Sequence, residues 1–106
     1  MMVKITQAID MANVERFECE DKYEAEKLAS LTGLQNDHST YIHDICDVIE
    51  NEVIVILKDK SSHSILMKDN DTAIRLNRLL LDILLGKKTI SQSSYQNYTT
   101  EIVLSY

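Results

Sequence analysis

The apolar positions of this 106-residue chain change period several times, and each change marks an element. Between Lys22 and Thr32, Ala25, Leu28 and Ala29 recur at helical spacing. Asp21 can cap this helix, and Glu24 follows at the offset of a capping box. Gly33 offers a stop, because glycine enters the left-handed conformation at low cost. Over residues 38–50, Ile42, Ile45, Cys46 and Ile49 follow i, i+3, i+4, i+7 and predict a second helix. Over 73–85 a third helix is expected, with leucine and isoleucine around most of its circumference. Its polar residues Arg75, Arg78 and Asp82 form one narrow stripe. Asn70, Asp71 and Thr72 can cap it, Gly86 ends it, and Lys87 and Lys88 suit the negative end of its dipole.

Strands alternate with these helices. Val53 to Leu57 is an unbroken apolar run rich in β-branched residues, typical of a strand covered on both faces. A polar turn over Lys58–Ser62 leads into a returning strand, so 52–68 reads as a hairpin with a four- or five-residue loop. Residues 89–98 read as a polar loop. Residues 99–105 alternate as a last strand that joins the hairpin. The start is less patterned: a short helix or turn over 5–13 and an extended piece over 14–19 fit it. The expected fold is α+β in a single domain over 1–106, a small, mainly antiparallel sheet against helices 22–32, 38–50 and 73–85.

Composition narrows the classes. Two glycines and no proline exclude collagen-like and Pro- or Gly-rich disordered chains. No apolar stretch approaches the roughly 18–20 residues of a membrane span, and no secretion signal opens the chain. Cys19 and Cys46 therefore read as reduced thiols of a cytoplasmic protein. The net charge of −6 is uneven: residues 1–52 hold twelve acids and four bases, and residues 53–106 five acids and seven bases. Such a front half repels phosphate and attracts basic surfaces.

Candidate chemistry is sparse. Lys27 to Leu34 resembles the turn of a helix-turn-helix, with Ala29 at the crossing and Gly33 at the turn. A winged-helix regulator over 22–68 is therefore one alternative. Its reading helix would hold no Lys or Arg and four acids, and DNA affinity comes mostly from cations, so nucleic acid is an unlikely partner. His43, Cys46 and Asp47 share helical spacing but fall short of the three or four converging ligands zinc needs, so neither a metal nor any other cofactor is expected. No nucleophile elbow and no phosphate-binding glycine loop points to an enzyme. Arg75 and Arg78 could grip an anionic ligand or nucleotide in a second alternative, a sequestering oligomer. The greasy third helix suggests a homodimer through Leu76, Leu80, Ile83 and Leu84.

The favoured expectation is a small non-enzymatic interaction or inhibitory protein of the phage or plasmid kind. It would present Glu18, Glu20, Asp21, Glu24, Glu26, Asp37, Asp44, Asp47 and Glu50 to a basic partner, itself a candidate nucleic-acid-binding protein.

Overall fold

The computed structural model describes residues 13–37, with side chains as far as Gly33, and residues 42–105. The elements run β1 (Val14–Glu18), α1 (Lys22–Asp37), β2 (Ile42–Ile45), β3 (Glu52–Leu57), β4 (Ser62–Leu66), α2 (Asn70–Leu84), β5 (Thr89–Gln96) and β6 (Thr99–Ser105). The fold is α+β, with two antiparallel three-stranded sheets ordered β1-β6-β5 and β2-β3-β4. The expected extended piece over 14–19 is β1, extended by a bridge at Cys19. The short helix or turn expected over 5–13 lies outside the described residues except for Asn13, a turn residue.

α1 covers the first sheet, and α2 packs on β2, β3 and β1. Between them lies one continuous core that includes Phe17, Leu28, Val53, Ile65, Met67, Leu76, Leu80 and Ile102. Thr100 is fully buried there, and its hydroxyl donates to the Ala25 carbonyl at 2.8 Å, so no hydrogen bond is lost on burial. The two sheets meet where β1 and β4 run out. Cys19 bridges Met67, the Glu20 amide donates to the Leu66 carbonyl at 2.9 Å, and the Lys68 amide donates to the Glu18 carbonyl at 3.0 Å.

Three expectations need correction. The helix over 38–50 is absent from the described residues: 42–45 is strand β2. The spacing of Ile42 and Ile45 that suggested a helix has another cause. A bulge sets two residues, His43 and Asp44, against Ile56, so both isoleucines face inward although they are three apart. The loop over 89–98 contains the polar edge strand β5, which pairs with β6. Its burial rests mainly on Ile90, too little apolar content to show a strand period. The last strand does not join the hairpin; β6 is the centre of the first sheet, between β1 and β5.

The helix ends follow simple chemistry. The Asp21 carboxylate accepts from the Glu24 amide at 3.0 Å, as an N-cap does. α1 then continues through Gly33, whose φ is not left-handed, to Asp37. In α2 the N-cap is Asp69, one residue before the expected set, and it accepts from the Thr72 amide at 2.8 Å. That hydrogen bond holds its carboxyl below the usual carboxylate range. Gly86, at φ +77°, closes the helix: its amide donates to Ile83 and the Lys87 amide to Asp82, a Schellman pair.

The hairpin 52–68 is present, with residues 58–61 between its strands and Lys60 at φ +71°. β3 is fully buried on one face only. Val53, Val55 and Leu57 are buried, whereas Ile54 and Ile56 are half-buried on the far side.

Candidate functional site

Strand register places the far face of the second sheet. Directly opposed residues on neighbouring strands point their side chains to the same side. Ile49, Glu52, Leu66 and Glu20 therefore form one row, linked by the Ile49–Glu52 bridge, the Glu52–Leu66 pair and the Glu20–Leu66 hydrogen bond. Cys46, Ile54 and Ser64 form a second row, in which the Cys46 amide donates to the Ile54 carbonyl at 3.0 Å. Asp44, Ile56 and Ser62 form a third. The inward residues of the same strands are the buried ones, so these rows make the side turned away from the core. The result is a face on which Glu52 stands between Ile49 and Leu66, beside Ile54 and Ile56, with Glu20 and Asp44 at its margins. Ile49 is the most open of the four apolar residues, 58% exposed. Beyond the first row, Lys68 stands opposite Glu18 and bonds it at 2.9 Å. The hairpin-tip lysines Lys58 and Lys60 lie at the other end of the strands.

The nine predicted acids divide by what they do. Glu24 is spent on the fold. Its side chain is 13% exposed, pairs with Lys27 at 3.2 Å and accepts from the Leu66 amide at 2.8 Å. It thus makes no reciprocal capping bond. Lys27 in turn donates to the Ser64 carbonyl at 2.8 Å, so this pair occupies the outer edge of β4 where another strand could add. Glu18 is paired with Lys68, Asp21 caps α1, and Glu26 accepts from the Tyr95 hydroxyl at 3.0 Å near β5, raising the phenol pKa. Glu20, Asp44, Asp47 and Glu50 are exposed, the last two on the connector between β2 and β3. The side chain of Asp37 lies outside the described residues.

The arginines chosen for an anionic ligand are placed differently from one another. Arg75 lies over the buried Phe17 ring, 4.7 Å from its centroid, and donates to the Arg16 carbonyl at 2.6 Å. It secures the free edge of β1 as a structural clamp. Arg78 is exposed. The predicted dimer residues Leu76, Leu80 and Ile83 are buried in the chain's own core, and Leu84 packs partly against it.

Other groupings were not foreseen. An open concavity of about 450 Å³ lies at the β5–β6 turn, lined in part by Arg16, Tyr95, Tyr98 and Glu101. Its charges cancel, since Arg16 Nε donates to Glu101 at 2.6 Å. At the hairpin tip, Asp59 accepts from the Ser61 amide and hydroxyl, and His63 Nε2 lies 3.0 Å from Ser61 Oγ. The two bonds from Ser61 hold the Asp59 carboxyl below its usual range. This is not a nucleophile triad: the serine donates its proton to the carboxylate, and the imidazole does not stand between them. Burial pushes the Cys19 thiol up to about 11, the opposite of an activated nucleophile. Both cysteines are free, and among the described residues no three of His, Cys, Asp and Glu gather as a metal site. Among the described residues no helix is long and apolar enough to cross a membrane.

The chief miss from sequence was the far face itself. Ile54 and Ile56 carried no signal of it, because the all-apolar run 53–57 hides which alternate positions face out. The chain matches no family model, no curated protein and no solved structure.

Proposed function

We propose that this protein acts by binding, as a small interaction or inhibitory protein of the phage or plasmid kind. Its docking surface is the far face of the second sheet, and its partner is a basic protein. The reading is carried by one observation: the cross-strand rows set Glu52 between Ile49 and Leu66, beside Ile54 and Ile56, with Glu20 and Asp44 at the margins. An apolar face with carboxylates inside it and at its margins suits a partner that presents apolar side chains interspersed with Lys or Arg. The net charge of −6 would speed the encounter. Of the nine acids chosen from sequence, Glu20 and Asp44 are the two this surface uses, and Glu52 joins them. The winged-helix alternative loses its reading helix to β2, and the anionic-ligand alternative loses Arg75 to Phe17.

The test is capture from a bacterial lysate on immobilised protein, washed at about 0.05 M and about 0.5 M salt. A basic protein should be retained at low salt and released at high salt. It should be lost with the variant Asp44→Lys/Glu52→Lys and weakened by Ile54→Ser. Retention that neither salt nor the charge reversal changes would overturn the reading, and so would no capture at either salt.

A further inference from the structure

The helix α2 is buried on one stripe, through Ala73, Leu76, Leu79, Leu80 and Ile83. Its opposite stripe has a pattern of its own. Asp71, Ile74, Arg78, Leu81 and Leu85 are exposed and fall at intervals of three, four, three and four residues. That is the a/d spacing of a helix seam. Its three apolar members are 37%, 39% and 69% exposed. Large aliphatic side chains at seam spacing along one helix form a patch rather than scattered exposure.

We infer that this stripe is the contact between two copies of the chain, with the two α2 helices antiparallel. The charges select both the occupant and its direction. An acid, Asp71, stands in the first turn, and two lysines, Lys87 and Lys88, follow the last. Lys88 already bends back to within 3.8 Å of Asp82. Antiparallel pairing brings the acidic end of each helix to the cationic end of the other, and helix dipoles favour the same arrangement. It sets Ile74 against the partner's Leu85, and Arg78 against the partner's Leu81, where the aliphatic stem of the arginine covers the leucine. Parallel pairing would set Asp71 against its own copy and Arg78 against its own copy, which is repulsive at both levels. The contact is isologous and closes as a dimer without leaving a free stripe. A 15-residue helix buries less than the roughly 1,200–2,000 Å² of a standard interface, so the dimer should dissociate on dilution. The inference stands apart from the basic-partner reading, because the two surfaces share no residue.

Sedimentation equilibrium of the full chain tests it. The mass should rise from 12.2 kDa towards twice that value between about 1 μM and 1 mM. Leu81→Lys should raise the dissociation constant at least about tenfold, and Arg78→Leu should lower it by about the same factor. Opposite signs from two exposed positions separate a lost contact from a misfolded chain. For direction, a Cys46→Ser background carrying Ile74→Cys and Leu85→Cys should oxidise to a covalent dimer, and Ile74→Cys alone should not. A mass fixed at 12.2 kDa, a dimer that Leu81→Lys leaves unchanged, or cross-linking by Ile74→Cys alone would each overturn the inference.

Discussion

The two glycines show how one residue type serves two opposite local needs. Gly33 lies inside α1 with a φ that is not left-handed, and nothing lies within 4 Å of where a Cβ would stand. Gly86 lies at φ +77°, again in open space. The space is equal, so backbone conformation alone decides. Gly33→Ala should stabilise the protein by about 0.5–1 kcal/mol, because alanine loses less backbone entropy in a helix. Gly86→Ala should destabilise it by about 1 kcal/mol or more, because an L side chain is strained there. Urea unfolding of the two variants, read by circular dichroism, checks both signs. Sequence suggested a helix stop at each glycine. At Gly33 the stop fails because the residues after it continue the helical hydrogen bonds, which a glycine permits as readily as it ends them.

At the scale of elements, the informative feature is how strand edges are closed. β4 is an edge strand, and its outward Leu66 amide and Ser64 carbonyl are met by Glu24 and Lys27 of α1. β1 is also an edge strand, and Arg75 of α2 occupies its Arg16 carbonyl. In each case a charged side chain takes the place of a further strand, which blocks edge-to-edge association. Glu24→Ala should cost about 1–2 kcal/mol, since it leaves the part-buried Leu66 amide without its acceptor. Glu24→Gln should cost less, because the amide oxygen can still accept. Thermal melts at low concentration give the stability order. Light scattering on heating should show faster aggregation for the alanine variant. The sequence marked Glu24 as a capping residue, and that expectation fails because its carboxylate is held elsewhere. The donor it finds, the Leu66 amide, belongs to a strand 42 residues further on, and no local pattern registers that distance.

For the whole molecule, one core serves two sheets. Phe17 and Ile102 from the first sheet and Val53 and Ile65 from the second belong to the same cluster as Leu76 of α2. The Cys19–Met67 bridge joins the sheets at their ends. The chain should therefore unfold as one cooperative unit. Leu76→Ala should cost about 2–5 kcal/mol, the usual range for a cavity in a packed core. Amide exchange in β3 and β6 should accelerate together, since neither sheet has a separate interior. Exchange confined to one sheet would show two independent units. The same unity explains the placement of the acids. Burying one face of each sheet commits Glu18, Asp21, Glu24 and Glu26 to pairs, a cap and an edge, and leaves the second sheet's far side carrying Glu20, Asp44 and Glu52.

Sequence alone determined the features that depend on neighbours in the chain. The α+β class, the helices read over 22–32 and 73–85, the hairpin, the last strand and the stop at Gly86 all rest on periodicity, capping and turn chemistry. These act over a few residues and leave a signature in the order of side chains. Tertiary structure decided the remainder. It made 42–45 a strand, because a bulge against Ile56 lets two isoleucines three apart face one core. It made polar β5 a strand, because β6 offered a ladder. It also sorted the surface, turning the predicted dimer leucines inward and leaving Ile74, Leu81 and Leu85 outside. Pairing partners and covering layers come from distant parts of the chain, so the contacts that settle these questions exist only once the molecule has folded.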